Sequence, residues 1–255
     1  MFLVALNKRL RDNNWFLNNS IKEPDLMSLL DLVSLGTVCD VVPLIGINRA
    51  FVRQGLRVLK KKKNLGLKTL IEVCNIEKPI TAHELGYILG PRINAGGRVG
   101  KSTDGANLLL NQNPKNTFKL AVDLNIYNEE RKVLETELLN KILNIDYKNS
   151  TDPVIILYGE NWHEGIIGII AARVKDKYNK PTIIISVKDG VGKGSGRSMY
   201  GFDLGSVIIG AVQNNLLSKG GGHKMAAGFT IEMDKIHEFK EFVFRKYKSV
   251  NINLE

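Results

Sequence analysis

Apolar residues in the middle of the chain fall at positions 120, 124, 127, 134, 138 and 145, with charged residues between them. Spacings of three, four and seven predict one long helix from Asn116 to about Asp146, in a stretch free of glycine and proline. Upstream, LMSLLDLVSLGTVCDVVPL (26–44) opens with helical spacing. LVSLGTVCDVV within it then reads as a buried strand that ends at Asp40 and is closed by Pro43. Helical periodicity returns over Asn48–Lys60 and Lys68–Cys74. TAHELGYIL starts with Thr81 and Glu84 at capping-box spacing, and Gly90-Pro91 reads as its stop. GPRINAGGRVGKSTDGA (90–106) reads as a loop, with a short helix over 103–112.

Downstream, strands and helices alternate. PVIILYG (153–159) and TIIISV (182–187) are strand-like, and 188–199 reads as a turn and a strand. GIIGIIAARVKDKY (165–178) and DLGSVIIGAVQNNLL (203–217) are helical, the second with Asp203 as N-cap. GGGHK (220–224) reads as a loop, MAAGFTI as a strand, and residues 234–247 as a last helix. That alternation predicts an α/β sheet layered with helices. The polar run YKNSTDP, ending in Pro153, marks a boundary between two domains.

Composition narrows the function. The 255 residues are 44% hydrophobic and 24% charged, as in a water-soluble globular protein. Apolar runs are far too short to span a bilayer, and the opening residues lack the pattern of a signal peptide. Cys39 and Cys74 stand in no metal-type spacing, and two cysteines make no disulfide framework, so the expected location is cytoplasmic. The net charge of +10 suits a polyanionic partner such as nucleic acid, although KKKK at 60–63 reads as a solvated helix end or loop.

Three segments join glycine to cationic or polar side chains: PRINAGGR (91–98), GKGSGRS (192–198) and GGGHK. Bare backbone admits close approach of an anion, and arginine offers a two-pronged fork for phosphate oxygens. Strand alternation puts Ser195 and Arg197 on one face. None is a Walker A loop, and each alone also fits a tight turn or bulge. In NWHEG, His163 is either a chemical group or a backbone hydrogen-bonding one, while His83 and His237 read as surface residues. Asp40, at a strand end, suits either a divalent cation or a turn.

Taken in order, LVSLGTVCDVVPL, GPRINAGGR, NWHEGIIGIIAARV, GKGSGRS and GGGHKMAAG resemble the RecJ family of single-strand-specific 5′→3′ DNA exonucleases, within the DHH phosphoesterase superfamily. The resemblance implies an α/β architecture: residues 1–115 as the end of a parallel-sheet DHH domain, 116–148 as a long connecting helix, and 149–255 as a smaller α/β DHH-associated domain. It implies a metal-dependent hydrolase acting on single-stranded DNA in repair and recombination, with Mn²⁺ or Mg²⁺. Asp40 matches a metal ligand, and Asp31 is a weaker candidate. His163 becomes the candidate catalytic residue. Arg92, Asn94, Arg98, Ser195, Arg197, Gly220, Gly221, Gly222 and His223 become candidate contacts to DNA and its 5′ phosphate.

No DxD or Asp-His-His string occurs in the 255 residues. Two-metal hydrolysis needs several carboxylates and histidines. This chain alone is therefore expected to be inactive, with a polypeptide carrying those motifs as a possible partner. Two alternatives stay open: a non-catalytic module binding single strands or a partner, and a relative acting on short oligonucleotides or cyclic dinucleotides.

Overall fold

The structure is a computed structural model that describes residues 1–143 and 151–249. It divides into two compact units, with the division between Asn128 and Glu129. The described residues of the first unit are helical. They comprise α1 (Phe2–Asp12), α2 (Trp15–Asn18), α3 (Leu30–Cys39), α4 (Gly46–Leu59), α5 (Leu65–Val73), α6 (Ala82–Glu84), α7 (Gly90–Val99), α8 (Asp104–Leu110) and the first half of α9 (Pro114–Leu143). Leu67, Leu70, Leu85, Leu89 and Leu108 form its core, with Ala121 and Leu124 entering from α9. The capping box closes as the spacing predicts. Thr81 N–H donates to Glu84 Oε2 at 2.7 Å, and His83 N–H donates to Thr81 Oγ1 at 3.2 Å. KKKK follows the end of α4 on exposed positions.

Two expectations fail in this unit. Residues 30–39 form a helix and not a strand. Their polar side chains turn back on the helix: Ser34 Oγ donates to the Asp31 carbonyl and Thr37 Oγ1 to the Val33 carbonyl, each at 2.7 Å. Buried Leu30, Asp31, Ser34 and Leu35 follow a helical period that the β-branched residues obscured. Asp40 consequently caps a helix C-terminus on an exposed position.

Residues 90–99 are likewise helical and not a loop. Helical backbone runs through a five-residue π turn, Leu85–Leu89, into α7. Pro91 sits in the first turn of α7, where its missing N–H costs little. Gly90 is needed for packing, because a Cβ there would stand 2.4 Å from Cys39 Sγ. The apparent stop signal is a pivot between two helical segments.

The long helix forms over Pro114–Leu143, and its expected last residues, 144–146, lie outside the described ones. Its second half belongs to the second unit, where Leu138 and Ile142 are buried. That unit continues with β1 (Ile155–Glu160), α10 (Glu164–Tyr178), β2 (Thr182–Lys188), β3 (Val191–Arg197), α11 (Leu204–Gln213), β4 (Lys219–His223), β5 (Ala226–Glu232) and α12 (Ile236–Ser249). The α/β expectation holds. The sheet order is β1-β2-β3-β5-β4, parallel between β1 and β2 and antiparallel elsewhere.

GGGH is a third difference, being an edge strand and not a loop. Its hairpin with β5 turns at Lys224-Met225, which lacks the Asn-Gly or Asp-Gly of the favoured short turns, so no hairpin was legible. Strand alternation separates two packed faces. Ile183, Ile185, Phe229 and Ile231 pack with Ile208, Phe239 and Val243 on one. Ile155, Leu157 and Ile184 pack with Ile166, Ile170 and Val174 of α10 on the other. No helix among the described residues is long and apolar enough to cross a membrane.

Candidate nucleic-acid interface

Three register rows cross β3, β5 and β4. Arg197 pairs with Ala226, which pairs with His223; Ser195 with Gly228, and Gly228 with Gly221; Lys193 with Thr230, and Thr230 with Lys219. Directly paired residues point to the same side of a sheet. One face thus carries Lys193, Ser195 and Arg197 along β3, and Lys219 and His223 along β4, with bare backbone at Gly221 and Gly228 between them.

At the β3 side of this face, α10 lies close. The place of a Gly168 Cβ is 3.0 Å from both Ser195 Oγ and an Arg197 guanidinium nitrogen, so a glycine in α10 lets both side chains fit beneath the helix. The Arg197 guanidinium donates to the Gly196 carbonyl at 2.9 Å and to Ser195 Oγ at 3.4 Å. Both acceptors are neutral, and it has no carboxylate partner among the described residues. Burial pushes the Arg197 pKa down. A half-buried cation with no counter-ion is poised for an anion, since ionic partners offset lost hydration.

His223 stands exposed at the other side. Its Nδ1 accepts the Met225 N–H at 3.3 Å, so a neutral ring carries its proton on Nε2, free to donate outward. The glycines between the two walls have no packing reason of their own. A Cβ at Gly221 would meet nothing within 4 Å, and one at Gly228 only the Gly194 carbonyl oxygen at 3.7 Å. Gly220 and Gly222 differ. A Cβ on either would strike the protein, at Ile208 Cγ2 (2.6 Å) and the Ala226 carbonyl oxygen (2.3 Å). Of the three consecutive glycines, only Gly221 opens onto the basic face. Gly168, Lys193, Lys219 and Gly228 were missed from the sequence; pairing register finds Lys193, Lys219 and Gly228 once GGGH is known to be a strand, and Gly168 is found only from the packing of α10 over β3.

The other candidates stand apart from these rows. His163 caps α10, its Nδ1 accepting the Gly165 N–H at 3.1 Å. It follows the end of β1, whereas the Arg197 row is level with Ile155 at the start of β1. Arg92 Nε donates to Asn125 Oδ1 at 2.8 Å and Nη1 to the Ile88 carbonyl at 2.9 Å, tying α7 to α9. Asn94 and Arg98 occupy exposed positions four apart on α7, hence one side of that helix.

Asp40 sits at the negative end of α3, where a carboxylate is electrostatically disfavoured. The next residue, Val41, is β-branched, 86% exposed and held at φ 54°. Such local cost without local benefit marks a constrained turn. Among the described residues no group of three or more His, Cys, Asp or Glu could hold a metal ion. Asp40 alone does not fit a two-metal centre.

Residues 151–249 match the DHHA1 domain family. The single-stranded-DNA-specific exonuclease RecJ of Dickeya dadantii is 38% identical over 249 residues, which cover 94% of this chain and 43% of that protein. The crystal structure of RecJ in complex with Mg²⁺ from Thermus thermophilus is similar with a TM-score of 0.80 at 29% identity, covering 92% of this chain and 36% of that one. The Mn²⁺ complex from the same organism gives a TM-score of 0.79 at 30% identity, covering 92% and 34%. This chain therefore spans less than half the length of these relatives. With 38% identity to a RecJ exonuclease over 94% of its residues, a DHHA1 domain and a shared fold, the chain belongs to the RecJ family.

Proposed function

We propose that this chain supplies the substrate-end cradle of a RecJ-type exonuclease, receiving the 5′-phosphorylated end of single-stranded DNA. One observation carries the reading. Arg197, desolvated and without a carboxylate among the described residues, faces His223 across a strip of backbone left bare at Gly221 and Gly228, where protein packing demands no glycine. Arg197 would fork the phosphate oxygens, while Ser195 Oγ and His223 Nε2 add donors. Backbone would approach closely over Gly221 and Gly228, and Lys193 and Lys219 would neutralise the next phosphate.

Hydrolysis is assigned no step in these residues, because they do not make a metal centre. Mn²⁺ or Mg²⁺, present in the Thermus RecJ crystals, would need ligands from residues carrying DxD and DHH motifs, with Asp40 contributing one oxygen. Arg98 and Asn94 of α7 are further candidate contacts to the strand.

The test compares 5′-phosphorylated and 5′-hydroxyl single strands by fluorescence anisotropy at fixed salt. A several-fold preference for the phosphate, lost in Arg197→Ala, is expected. Equal affinity for the two ends overturns the cradle. In parallel, strand cleavage with Mn²⁺ is expected only when a polypeptide carrying the DxD and DHH motifs is added. Robust cleavage by this chain alone overturns the account of the metal centre.

A further inference from the structure

Tyr200 is 94% exposed, on the turn that joins β3 to α11. That turn is anchored at both ends. Ser198 N–H donates to the Met225 carbonyl at 2.8 Å, and Ser198 Oγ donates to the Phe202 carbonyl at 2.6 Å. Phe202 is 2% exposed and its ring packs against that of Tyr247. Leu204 N–H donates to the Lys224 carbonyl at 3.2 Å, tying the turn to the β4–β5 hairpin. Gly201 takes φ +93°, a value that a side chain would oppose. The tyrosine is thus carried on a fixed turn instead of a mobile loop, and no packing rewards its exposure.

Beside it opens a cleft of about 300 Å³, lined by Met199, Tyr200, Phe202, Asp203, Lys224 and Met225. It lies at the end of the sheet, next to the row of Arg197, Ala226 and His223. Two residues, Ser198 and Met199, separate Tyr200 from Arg197, so their Cα atoms are at most about 11 Å apart, within the reach of one nucleotide. The lining chemistry favours a base over a second phosphate: thioethers and aromatic carbon predominate, and the one cation, Lys224, is matched by the carboxylate of Asp203. It suits a flat heteroaromatic ring, which stacks on tyrosine and tolerates a mixed polar rim.

We propose that Tyr200 and this cleft hold the 5′-terminal nucleobase of the strand whose phosphate occupies the Arg197 cradle. The base stacks on the Tyr200 ring and lies against Met199 and Met225, and Lys224 offers a cation at its edge. Tyr200 is then a positioning residue that sets the orientation of the terminal nucleotide. The proposal rests on the cradle reading above.

The experiment measures anisotropy with 3′-labelled, 5′-phosphorylated strands whose terminal residue is either a normal nucleotide or abasic. Wild type is expected to lose about tenfold on the abasic end, the scale of one base–aromatic stack. Tyr200→Ala should lose about as much on the normal end and nothing further on the abasic one, and Tyr200→Phe should bind like wild type. The preference for a 5′ phosphate should survive in Tyr200→Ala. If Tyr200→Ala binds both ends like wild type, or is weakened equally on both, the stacking site is overturned while the cradle stands. If wild type ignores the phosphate, the cradle falls, and the base site falls with it.

Discussion

The Phe229 ring fills the space in which a side chain at Gly194 would stand: a Cβ there would lie 2.1 Å from the ring. In the same sheet, a Cβ at Gly221 would meet open space, and one at Gly228 would make only an ordinary 3.7 Å contact with the Gly194 carbonyl oxygen. Glycine has a packing role at the first position and none at the other two.

Gly194→Ala should therefore destabilise the protein by about 1–3 kcal/mol, the usual cost of overpacking a filled core. Gly221→Ala and Gly228→Ala should leave the melting temperature unchanged or slightly higher, because alanine restricts the unfolded chain. Both should weaken binding of 5′-phosphorylated single strands. Thermal melts and anisotropy on the same three variants separate the two roles. Weak binding by Gly194→Ala alone would place the contact on the wrong face.

Arg197 is retained at a cost in hydration, with only neutral oxygens to meet it among the described residues. Arg197→Met keeps the length and apolar contacts while removing the desolvated charge. Its stability should equal or exceed that of wild type, as when buried charges are replaced by apolar groups. The preference for a 5′ phosphate should vanish in the same variant. A large drop in melting temperature would instead make Arg197 a structural residue.

Asp31 is 3% exposed, and burial raises its pKa, the Leu32 N–H bond offsetting this only in part. A carboxyl whose folded pKa exceeds the unfolded one favours folding when protonated. Its contribution is whole below the ordinary aspartate pKa and is lost as pH rises through the raised value. Asp31→Asn should therefore melt higher than wild type at pH 7. The gap should close on acidification below about pH 4, where both side chains are neutral. Melting curves across that range decide it, and a gap that widened toward acid would refute the sign.

His163 holds the N-terminus of α10 through the Gly165 N–H. His163→Ala should lower stability by about 0.5–1 kcal/mol, and His163→Asn or His163→Ser should restore it, since these are favoured caps. If the reconstituted nuclease tolerates Asn at this position, capping accounts for the residue. If the Asn variant is stable yet inactive, the imidazole itself takes part in the chemistry.

Local chemistry was legible wherever it is contained within a few residues. Thr81 with Glu84, and Asp203 at the start of α11, were readable because a cap and its donors lie within one turn. The long helix and the β1–α10–β2 unit were readable from period alone. Residues 30–39 were misread because their valines and threonine favour strands, while burial against α4, the next helix in the chain, decides for a helix. Gly90-Pro91 was misread because the helix continues through the π turn, and the glycine is required by close packing against Cys39 of α3.

By itself the sequence determined the family, the alternation of elements in the second unit, and that Ser195 and Arg197 share a face, since all three follow from motifs and from a period of two. Tertiary structure alone decided which glycines are open, that His223 stands in the Arg197 row, and that Asp40 ends a helix. The physical reason is that these depend on strand register and on partners far along the chain, and a residue's own neighbours do not encode what lies across the sheet from it.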